Sequence, residues 1–382
     1  MPWKERTVED LRREFVEAAK GCANLSALCR EFGISRPTGY KWLTRATAGE
    51  PLADRSHAPK RVPGRTPEVL EALILAERTA NPAWGGKTIR QVLVNQGQTE
   101  LPCARTVQNI LRRNGYISPE EAQKHKPFIR FEKANCNEMW QTDFKGDFGL
   151  GDGSRCHPLT ILDDHSRYCL HIGAKSNTQG VMESFRNVFE EYGLPNAILS
   201  DNGAQFAGFR HGYTQFEKWL MQHDVLPIHG RIKHPQTQGK IERFHRTMKT
   251  ELLNHVSFAD LGDADIALQD WRNRYNTVRP HEALGMRCPA TVYEASNRDY
   301  VDAYPKHTYG GQYHVIKVNS CGYVRSGRFQ AYLSETMCGE YIEFRPSADG
   351  KTFAVCFRNY QIATFDADSG NRLNRRITRL DV

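Results

Sequence analysis

The chain lacks any apolar run of about 18 residues, the length that a membrane-spanning helix needs. Its first residues include acids and no apolar core segment, so a signal peptide is not indicated. The ten cysteines contain no Cys-x-x-Cys pair, which argues against a zinc ribbon or a dithiol redox motif. We therefore expect a cytoplasmic protein with no membrane association, whose cysteines are reduced thiols.

Length and charge give the first positive indications. At 382 residues the chain exceeds a typical single domain, so two to four modules are expected. The formal net charge of +8 favours a polyanionic partner, because Lys and Arg that neutralise phosphates release counterions. On its own, this charge is equally compatible with a basic protein that binds no nucleic acid.

Three carboxylates occur in distinctive local settings. Asp143 lies within the strand-like run WQTDF, Asp201 directly follows the apolar stretch AIL, and Glu242 begins an amphipathic helix in QGKIERFHRT. Acids delivered by two strand ends and one helix can converge on one point. Two Mg²⁺ ions held there, about 3.5–4 Å apart, would clamp the attacking and leaving oxygens of a phosphoryl transfer. Mg²⁺ suits such a site because it prefers hard carboxylate oxygens and keeps positions for water and phosphate.

Each of these acids also has an ordinary interpretation. An isolated Glu242 would be a solvated surface carboxylate, and Asp201 precedes Asn-Gly, a common turn dipeptide. Three further acids compete with Asp143 for its role: Asp147, Asp163 and Asp164. Strand alternation places Asp147 on the same face as Asp143. The other two competitors are interpreted as structural residues or hydrogen-bond partners.

A family resemblance is carried by five segments: WQTDFKG, HPLTILDDHSRY, LSDNGAQF, HPQTQGKIERFHRTMK and YNTVRPHEALGMRCPATVY. They resemble the DDE transposases of bacterial insertion sequences, within the retroviral-integrase superfamily, and the resemblance runs from about Asn24 to about Asp368. It implies an RNase H-like core in which Asp143, Asp201 and Glu242 are the catalytic, metal-binding residues, with two Mg²⁺ or Mn²⁺ ions per site. It also implies that water cuts the element end and that the exposed 3′ hydroxyl then attacks target DNA.

Residues 24–46 have the pattern of a helix-turn-helix unit. Its predicted core, turn and capping residues are Leu25, Leu28, Phe32, Gly33, Ser35, Tyr40 and Leu43. This arrangement leaves Arg36, Thr38 and Lys41 near the start of a recognition helix, where major-groove contacts are made. A plain helical hairpin is the alternative.

A similar helical pattern recurs in residues 67–115. A helix with Val69 and Ile74 on its apolar face is followed by a segment in which Val107 points inward, while Arg105 and Gln108 point outward as DNA-contact candidates. The proline-punctuated basic stretch before this module is a linker, and it is equally compatible with a solvated chain and with one that follows phosphates.

The expected fold is multidomain α/β, with a mixed sheet and flanking helices in the central core. Short β-rich runs near the C-terminus predict a small antiparallel barrel or sandwich, and the family resemblance favours an SH3-like barrel. The expected modules are a helix-turn-helix at 1–48, a basic linker at 49–66, a second helix-turn-helix at 67–117, a linker at 118–134, the RNase H-like integrase catalytic core at 135–296, and the barrel at 300–370.

Residues near Glu242 are candidates for contacts with DNA: His234, Gln238, Lys240, Arg243 and His245. Arg279 and His281, in the RPHEAL segment, are interpreted as structural. The partners expected are duplex DNA at element ends and at the target, and at least a second copy of the chain on DNA, in the bacterial nucleoid. Two other functions remain open: a domesticated DNA-binding regulator without transposition activity, and an RNase H-like nuclease.

Overall fold

The computed structural model describes residues 7–55, 66–117, 132–208, 212–230, 239–304, 306–327 and 329–380. Two compact units are distinguished, Met1–Arg65 and Thr66–Val382. Within the described ranges, no helix combines the length and apolar character that a membrane span requires.

The first unit contains three helices, α1 (Val8–Ala19), α2 (Leu25–Glu31) and α3 (Arg36–Thr47). Phe15, Leu28 and Trp42 pack together at its centre. The turn between α2 and α3 contains Gly33 with a φ of 65°, a left-handed conformation that glycine adopts without strain. The Ser35 side chain caps α3 by accepting from the backbone N–H of Thr38, as the sequence predicts.

The predicted core position of Tyr40 was wrong, because this side chain is 52% exposed. The buried stripe of α3 runs instead through Gly39 and Trp42. Glycine has no side chain, so the apolar pattern did not identify Gly39 as a core residue. The pattern therefore placed the buried face of the helix one position too far along, at Tyr40.

The second unit begins with three further helices, α4 (Glu68–Ala80), α5 (Gly86–Asn95) and α6 (Ala104–Arg113). Their shared core contains Ile74, Ile89 and Val107. Val69 was predicted on the apolar face of α4 but is 73% exposed. It lies in the first turn of α4, at the edge of the stripe that contacts the core.

A mixed five-stranded sheet forms the centre of the second unit. Its strands and a nearby hairpin are, in chain order, β1 (Trp140–Phe144), β2 (Phe148–Gly149), β3 (Arg155–Cys156), β4 (Leu159–Asp163), β5 (Cys169–Gly173), β6 (Ala197–Ser200) and β7 (Leu226–His229). The sheet order is β5-β4-β1-β6-β7, and the hairpin pairs β2 with β3. Strands β5, β4 and β1 are antiparallel neighbours, whereas β1, β6 and β7 run parallel. The predicted mixed sheet is confirmed.

Helices cover both faces of this sheet: α7 (Val181–Tyr192), α8 (Gln215–Gln222), α9 (Gly239–Met248) and α10 (Leu261–Thr277). On one face, Trp140 of β1 packs with Phe189 of α7 and Trp219 of α8. On the other face, Leu162 of β4 packs with Phe244 of α9 and Trp271 of α10. Helix α9 continues into a π-helical turn at Lys249–Leu253.

The C-terminal part is antiparallel β-structure, as predicted. Its strands are β8 (His314–Lys317), β9 (Tyr323–Ser326), β10 (Phe329–Tyr332), β11 (Tyr341–Pro346), β12 (Thr352–Phe357), β13 (Tyr360–Asp366), β14 (Arg372–Asn374) and β15 (Thr378–Arg379). The sheet order is β14-β13-β12-β11-β8, with β15 on β13 and a separate β9–β10 hairpin. Among the described strands this sheet does not close on itself, so the predicted barrel is not confirmed.

We predict that Gly39→Ala destabilises the first unit. A Cβ at Gly39 would lie 2.6 Å from the Sγ atom of Cys29 and 3.0 Å from Cζ of Phe15, inside the core. Overpacking of this kind costs about 1–3 kcal/mol, more than the roughly 1 kcal/mol that alanine gains in helix propensity. Chemical denaturation measures the free energy of unfolding. Gly21→Ala is the control, because a Cβ at Gly21 meets nothing within 4 Å. Equal stability of the two variants would contradict close packing at Gly39.

Candidate active site

The three carboxylates singled out in the sequence lie on neighbouring elements of the core. Asp143 is in β1, Asp201 directly follows β6, and Glu242 is in the first turn of α9. Because β1 and β6 are parallel neighbours, their carboxyl ends lie at the same edge of the sheet. The Asp143 side chain is 21% exposed, whereas Glu242 is open to solvent.

The protonation of Asp143 depends on its burial and on the neighbouring carboxylates. The pKa of Asp143 is raised from 3.8 to about 7, first by burial and then by the negative charge of Asp201, with a further contribution from Glu242. Like charges disfavour ionisation of a neighbouring acid. Asp143 therefore retains a proton up to neutral pH unless a cation offsets the repulsion.

A turn at the end of β6 holds Asp201. Its Oδ1 atom accepts a 3.0 Å hydrogen bond from the backbone N–H of Gly203, and the Asn202 side chain donates to the Gly230 carbonyl oxygen at 2.8 Å. The turn-forming interpretation of Asp201 is thus confirmed. It does not compete with a functional role, because the turn fixes the carboxylate at the sheet edge.

His245 lies beneath Asp143. The sequence suggested His245 as a DNA contact, but this side chain is only 7% exposed. The Nε2 atom of His245 is 2.8 Å from Thr160 Oγ1, and that hydroxyl donates to the backbone carbonyl of Asp143 at 2.8 Å. Since the single hydroxyl proton of Thr160 is used in this bond, Nε2 must be the donor. The Nδ1 lone pair then faces the Asp143 carboxylate, 3.8 Å away.

This contact between His245 and Asp143 is not an ion pair. Burial, together with the positive charge of Lys145, lowers the pKa of His245 to about 3. The imidazole is therefore neutral at physiological pH. It serves to tie α9 to the strands β1 and β4, and as placed it does not reach the surface.

A second set of bonds attaches the start of α9 to β1. The Gln141 side chain accepts from the backbone N–H of Ile241 at 3.3 Å and donates to Asp164 at 2.7 Å. The Lys240 ammonium forms an ion pair with the same Asp164 carboxylate. Asp163 accepts from the N–H groups of Asn137 and Ser166. Both acids are thus hydrogen-bond partners, as predicted.

The remaining sequence-derived candidates occupy different environments. Asp147 is exposed and paired with Arg155. Arg279 is paired with Glu251 at 2.7 Å, and buried His281 packs edge-on against Tyr275, which agrees with the structural interpretation of both. Arg243 is exposed, and His234 and Gln238 lie outside the described residues.

The candidates in the N-terminal helices also differ in their accessibility. Arg36 is exposed at the start of α3 and Lys41 near its middle, whereas Thr38 is half-buried and bonded to Ser35. In α6, Arg105 is exposed, but the Gln108 side chain accepts from the backbone N–H of Gly86 at 3.1 Å. Gln108 therefore holds two helices together in this structure.

Comparison with known proteins places the central sheet in a family. A model described as "Integrase core domain" matches residues 134–235, and a second model with the same description matches residues 223–289. Residues 134–289 therefore resemble an integrase core domain. The matched region contains all five strands of the central sheet, helices α7 to α10, and the three carboxylates.

Relatives of the integrase core occur in bacterial insertion elements. The chain is 30% identical over 164 residues to a 39.2 kDa protein of insertion element IS476 from Xanthomonas euvesicatoria, covering 42% of this chain and 45% of that protein. It is 28% identical over 169 residues to a 31.7 kDa protein of IS407 from Burkholderia multivorans, covering 44% and 58%. The transposase InsD of IS2 from Escherichia coli is 24% identical over 226 residues, covering 54% and 72%. The chain thus spans about half the length of the first two relatives.

Among solved structures, a chain of the simian T-cell lymphotropic virus intasome is 17% identical, covers 73% of this chain and 93% of its own length, and has a TM-score of 0.37. This score is too low to support an argument. The likeness to an integrase core therefore rests on the family models and the insertion-element relatives.

Sequence reasoning missed two buried residues that support the integrase core. Neither Thr160 nor Glu217 stands out in the sequence as a functional residue. Their polar partners come from distant positions, at His245 and His229 respectively. Only the fold brings these pairs together, so the local sequence carries no signal for them.

We predict that Asp143→Asn stabilises the metal-free protein at alkaline pH. Because the folded-state pKa of about 7 exceeds the ordinary value of 3.8, the bound proton contributes stability below about pH 4, and this stability is lost as the pH rises through 7. Ionised Asp143 then costs up to roughly 4 kcal/mol, at about 1.4 kcal/mol per pKa unit. The amide carries no charge and avoids this cost.

Denaturation at pH 8 in EDTA measures this effect, and the gain should shrink towards zero at pH 4. Asp147→Asn, at an exposed acid that follows the same strand, is the control and should change stability little. A variant Asp143→Asn that is less stable than the parent at pH 8 would contradict the repulsion.

Proposed function

We propose that the protein is a transposase, which cuts DNA at the ends of an insertion element and joins those ends to target DNA. The observation that carries this proposal is geometric: Asp143 in β1 and Asp201 after the parallel strand β6 lie at one sheet edge, and Glu242 is in the first turn of α9, all within the region that matches an integrase core. Three acids directed at one sheet edge are costly without a cation, and a phosphoryl-transfer site uses such a cluster.

The donor chemistry of this cluster suits Mg²⁺ or Mn²⁺, and we propose two ions per site. All three donors are hard carboxylate oxygens, as Mg²⁺ prefers. Among the described residues, no three His, Cys, Asp or Glu side chains form a ready-made metal site. Support for the metal therefore comes from the donor set and the repulsion that a cation would relieve. When bound, such ions lower the pKa of water or a hydroxyl group and neutralise charge at phosphorus.

The chain's own residues would position these donors. Asp143 and Asp201 would supply carboxylates from adjacent strands, and Glu242 would supply one from α9. The bonds of Gln141 and Lys240 keep the first turn of α9 against β1, so that Glu242 stays at the sheet edge. In this site, water would cut the element end, and the resulting 3′ hydroxyl would attack a target phosphodiester.

We also propose that DNA reading is performed by the N-terminal modules. The turn at Gly33 between α2 and α3, and the exposed Arg36 and Lys41, fit a helix-turn-helix unit whose second helix enters the major groove. Exposed Arg105 on α6 is a further candidate. The proposed division is reading modules at 1–48 and 67–117, linkers at 49–66 and 118–134, the RNase H-like core at 135–296, and an SH3-like module at 300–370.

The partners proposed are duplex element ends, target DNA and a second copy of the chain. A DNA-binding regulator would need the N-terminal modules but no cluster of three carboxylates. A nuclease that does not transfer strands would need the carboxylates but no duplex-reading modules. The combination therefore favours a transposase over both.

We predict that Asp143→Asn, Asp201→Asn and Glu242→Gln each reduce end cleavage and strand joining by more than about 1000-fold, because each removes a charge on which transition-state stabilisation depends. Binding of element ends should change little, since these residues hold metal and not DNA. Oligonucleotide cleavage and gel-shift assays measure the two effects. Asp147→Asn is the matched control and should remain active.

The dependence of activity on metal ions is measured with the same cleavage and gel-shift assays. Activity should require Mg²⁺ or Mn²⁺, and Ca²⁺, with its longer and looser coordination, should allow DNA binding with little turnover. Undiminished activity in any one carboxylate variant would remove that residue from the proposed site. Equal rates in EDTA would remove the metal mechanism.

We predict that replacing both Arg36 and Lys41 with Ala weakens the preference of the full chain for element ends over scrambled duplex. Each lost base-edge contact should cost about 1–3 kcal/mol of discrimination. The control replaces Arg13 of α1 and Lys20, which directly follows α1. Both are exposed, and this double variant removes the same charge. Competition gel shifts at constant salt measure the preference. An equal loss in both double variants would indicate general charge attraction and contradict sequence reading by α3.

A further inference from the structure

A fully buried carboxylate, Glu217 in α8, lies where the C-terminal module meets the core. Its Oε1 atom is 2.8 Å from His229 Nε2 and 2.7 Å from Arg375 Nη2. Its Oε2 atom accepts from the backbone N–H groups of Gly208 and Thr214, at 3.1 and 2.7 Å. Burial tends to raise the pKa of Glu217, but His229 and Arg375 outweigh it and lower that pKa. Glu217 is therefore an ionised group that links three parts of the chain.

One link leads to the start of the loop that carries Asp201. On β7, the other ring nitrogen of His229 is 3.1 Å from Ser200 Oγ, the last residue of β6. The Ser200 hydroxyl in turn donates to the backbone carbonyl of Asp201 at 3.1 Å. The backbone of Asp201 is thus two hydrogen-bonded side chains away from Glu217.

A second link leads to the end of the same loop. The Gly208 N–H donates to Glu217, while Arg375 Nη1 donates to the Gly208 carbonyl at 2.9 Å. The guanidinium also lies over the Tyr213 ring, 4.7 Å from its centroid. Both ends of the loop Asp201–Gly208 are therefore attached to the Glu217–Arg375 pair.

Arg375 follows β14, so it comes from the C-terminal module and not from the core. Removing one partner of a buried ion pair leaves an uncompensated charge, which is strongly destabilising locally. Without Arg375, Glu217 keeps His229 but loses its permanent cation, and Gly208 loses a donor to its carbonyl. The loop would keep its buried Phe206 side chain and the bond from Thr214 to the Phe206 carbonyl, but its last residue would lose its direct link to the C-terminal module.

We propose that Arg375 is a positioning residue through which the C-terminal module fixes the Asp201–Gly208 loop, and with it the Asp201 carboxylate. This inference rests on the proposed function only in that Asp201 is taken as a metal ligand there. In this proposal, the C-terminal module helps to hold an active-site residue in place, whether or not the module also contacts DNA.

Hydrogen–deuterium exchange of the full-length protein tests the attachment directly. The backbone N–H groups of Gly203, Phe206, Ala207 and Gly208 are hydrogen-bonded within the loop or to Glu217. In Arg375→Gln, peptides covering this loop should exchange about tenfold faster or more than in the parent. Arg376→Gln is the matched control, because it removes the same charge at the adjacent exposed position and should leave exchange within about twofold.

Two further variants keep the test decisive if Arg375→Gln unfolds. Arg375→Lys retains a charge for Glu217 but cannot also reach the Gly208 carbonyl in the same fork, so loop protection should be partly restored. Ser200→Ala removes one hydroxyl and should accelerate exchange at the start of the loop.

In an active enzyme, Arg375→Gln should raise the Mg²⁺ concentration that gives half of the maximal rate several-fold. The rate at saturating Mg²⁺ should equal that of the parent.

The outcomes separate this inference from the proposed function. Unchanged loop exchange in folded Arg375→Gln overturns the inference, even if the parent protein transfers strands. Faster exchange in that variant and not in Arg376→Gln supports it, even if the parent shows no strand transfer, in which case only the proposed function falls. Equal acceleration in both arginine variants indicates a general loss of charge and overturns the inference.

Discussion

Repulsion between acids at one edge of the central sheet is the interaction on which the rest of the site depends. Burial of Asp143 in β1, together with the negative charges of Asp201 and Glu242, raises its pKa to about 7. Bringing these acids together does not stabilise the fold. The parallel pairing of β1 with β6 and the docking of α9 must hold the carboxylates in place against this repulsion. A bound cation would turn the unfavourable arrangement into a favourable one.

Buried polar groups oppose this repulsion from two sides. Beneath α9, the neutral His245 and the hydroxyl of Thr160 connect the helix to the backbone of Asp143. Beneath the loop after β6, Glu217 and Arg375 hold the segment that begins with Asp201. Paired groups of this kind contribute little net stability compared with apolar packing, but they restrict geometry. The requirement for fixed carboxylates thus explains why polar side chains occupy positions in an otherwise apolar core.

Much of the core could be predicted from the sequence, because its signals are local. Alternation in WQTDF predicts β1, the apolar stretch before Asp201 predicts β6, and helical spacing predicts α9 around Glu242. Interactions between distant residues could not be predicted in this way. His245 looked polar and surface-facing until Thr160 was placed opposite it, and Tyr40 looked buried because Gly39 carries no side chain. Whether the C-terminal strands close into a barrel also could not be predicted from local patterns, because closure depends on which strand edges pair.

The central claim, that three carboxylates form one metal site, is tested most directly by anomalous diffraction from crystals soaked in Mn²⁺. The account predicts an anomalous peak about 2.0–2.2 Å from oxygens of Asp143 and Asp201, close to the Mg²⁺ coordination distance, with Glu242 drawn into the same site. The peak should disappear in crystals of Asp201→Asn. A fully occupied Mn²⁺ ion elsewhere, with none at these carboxylates, would contradict the account.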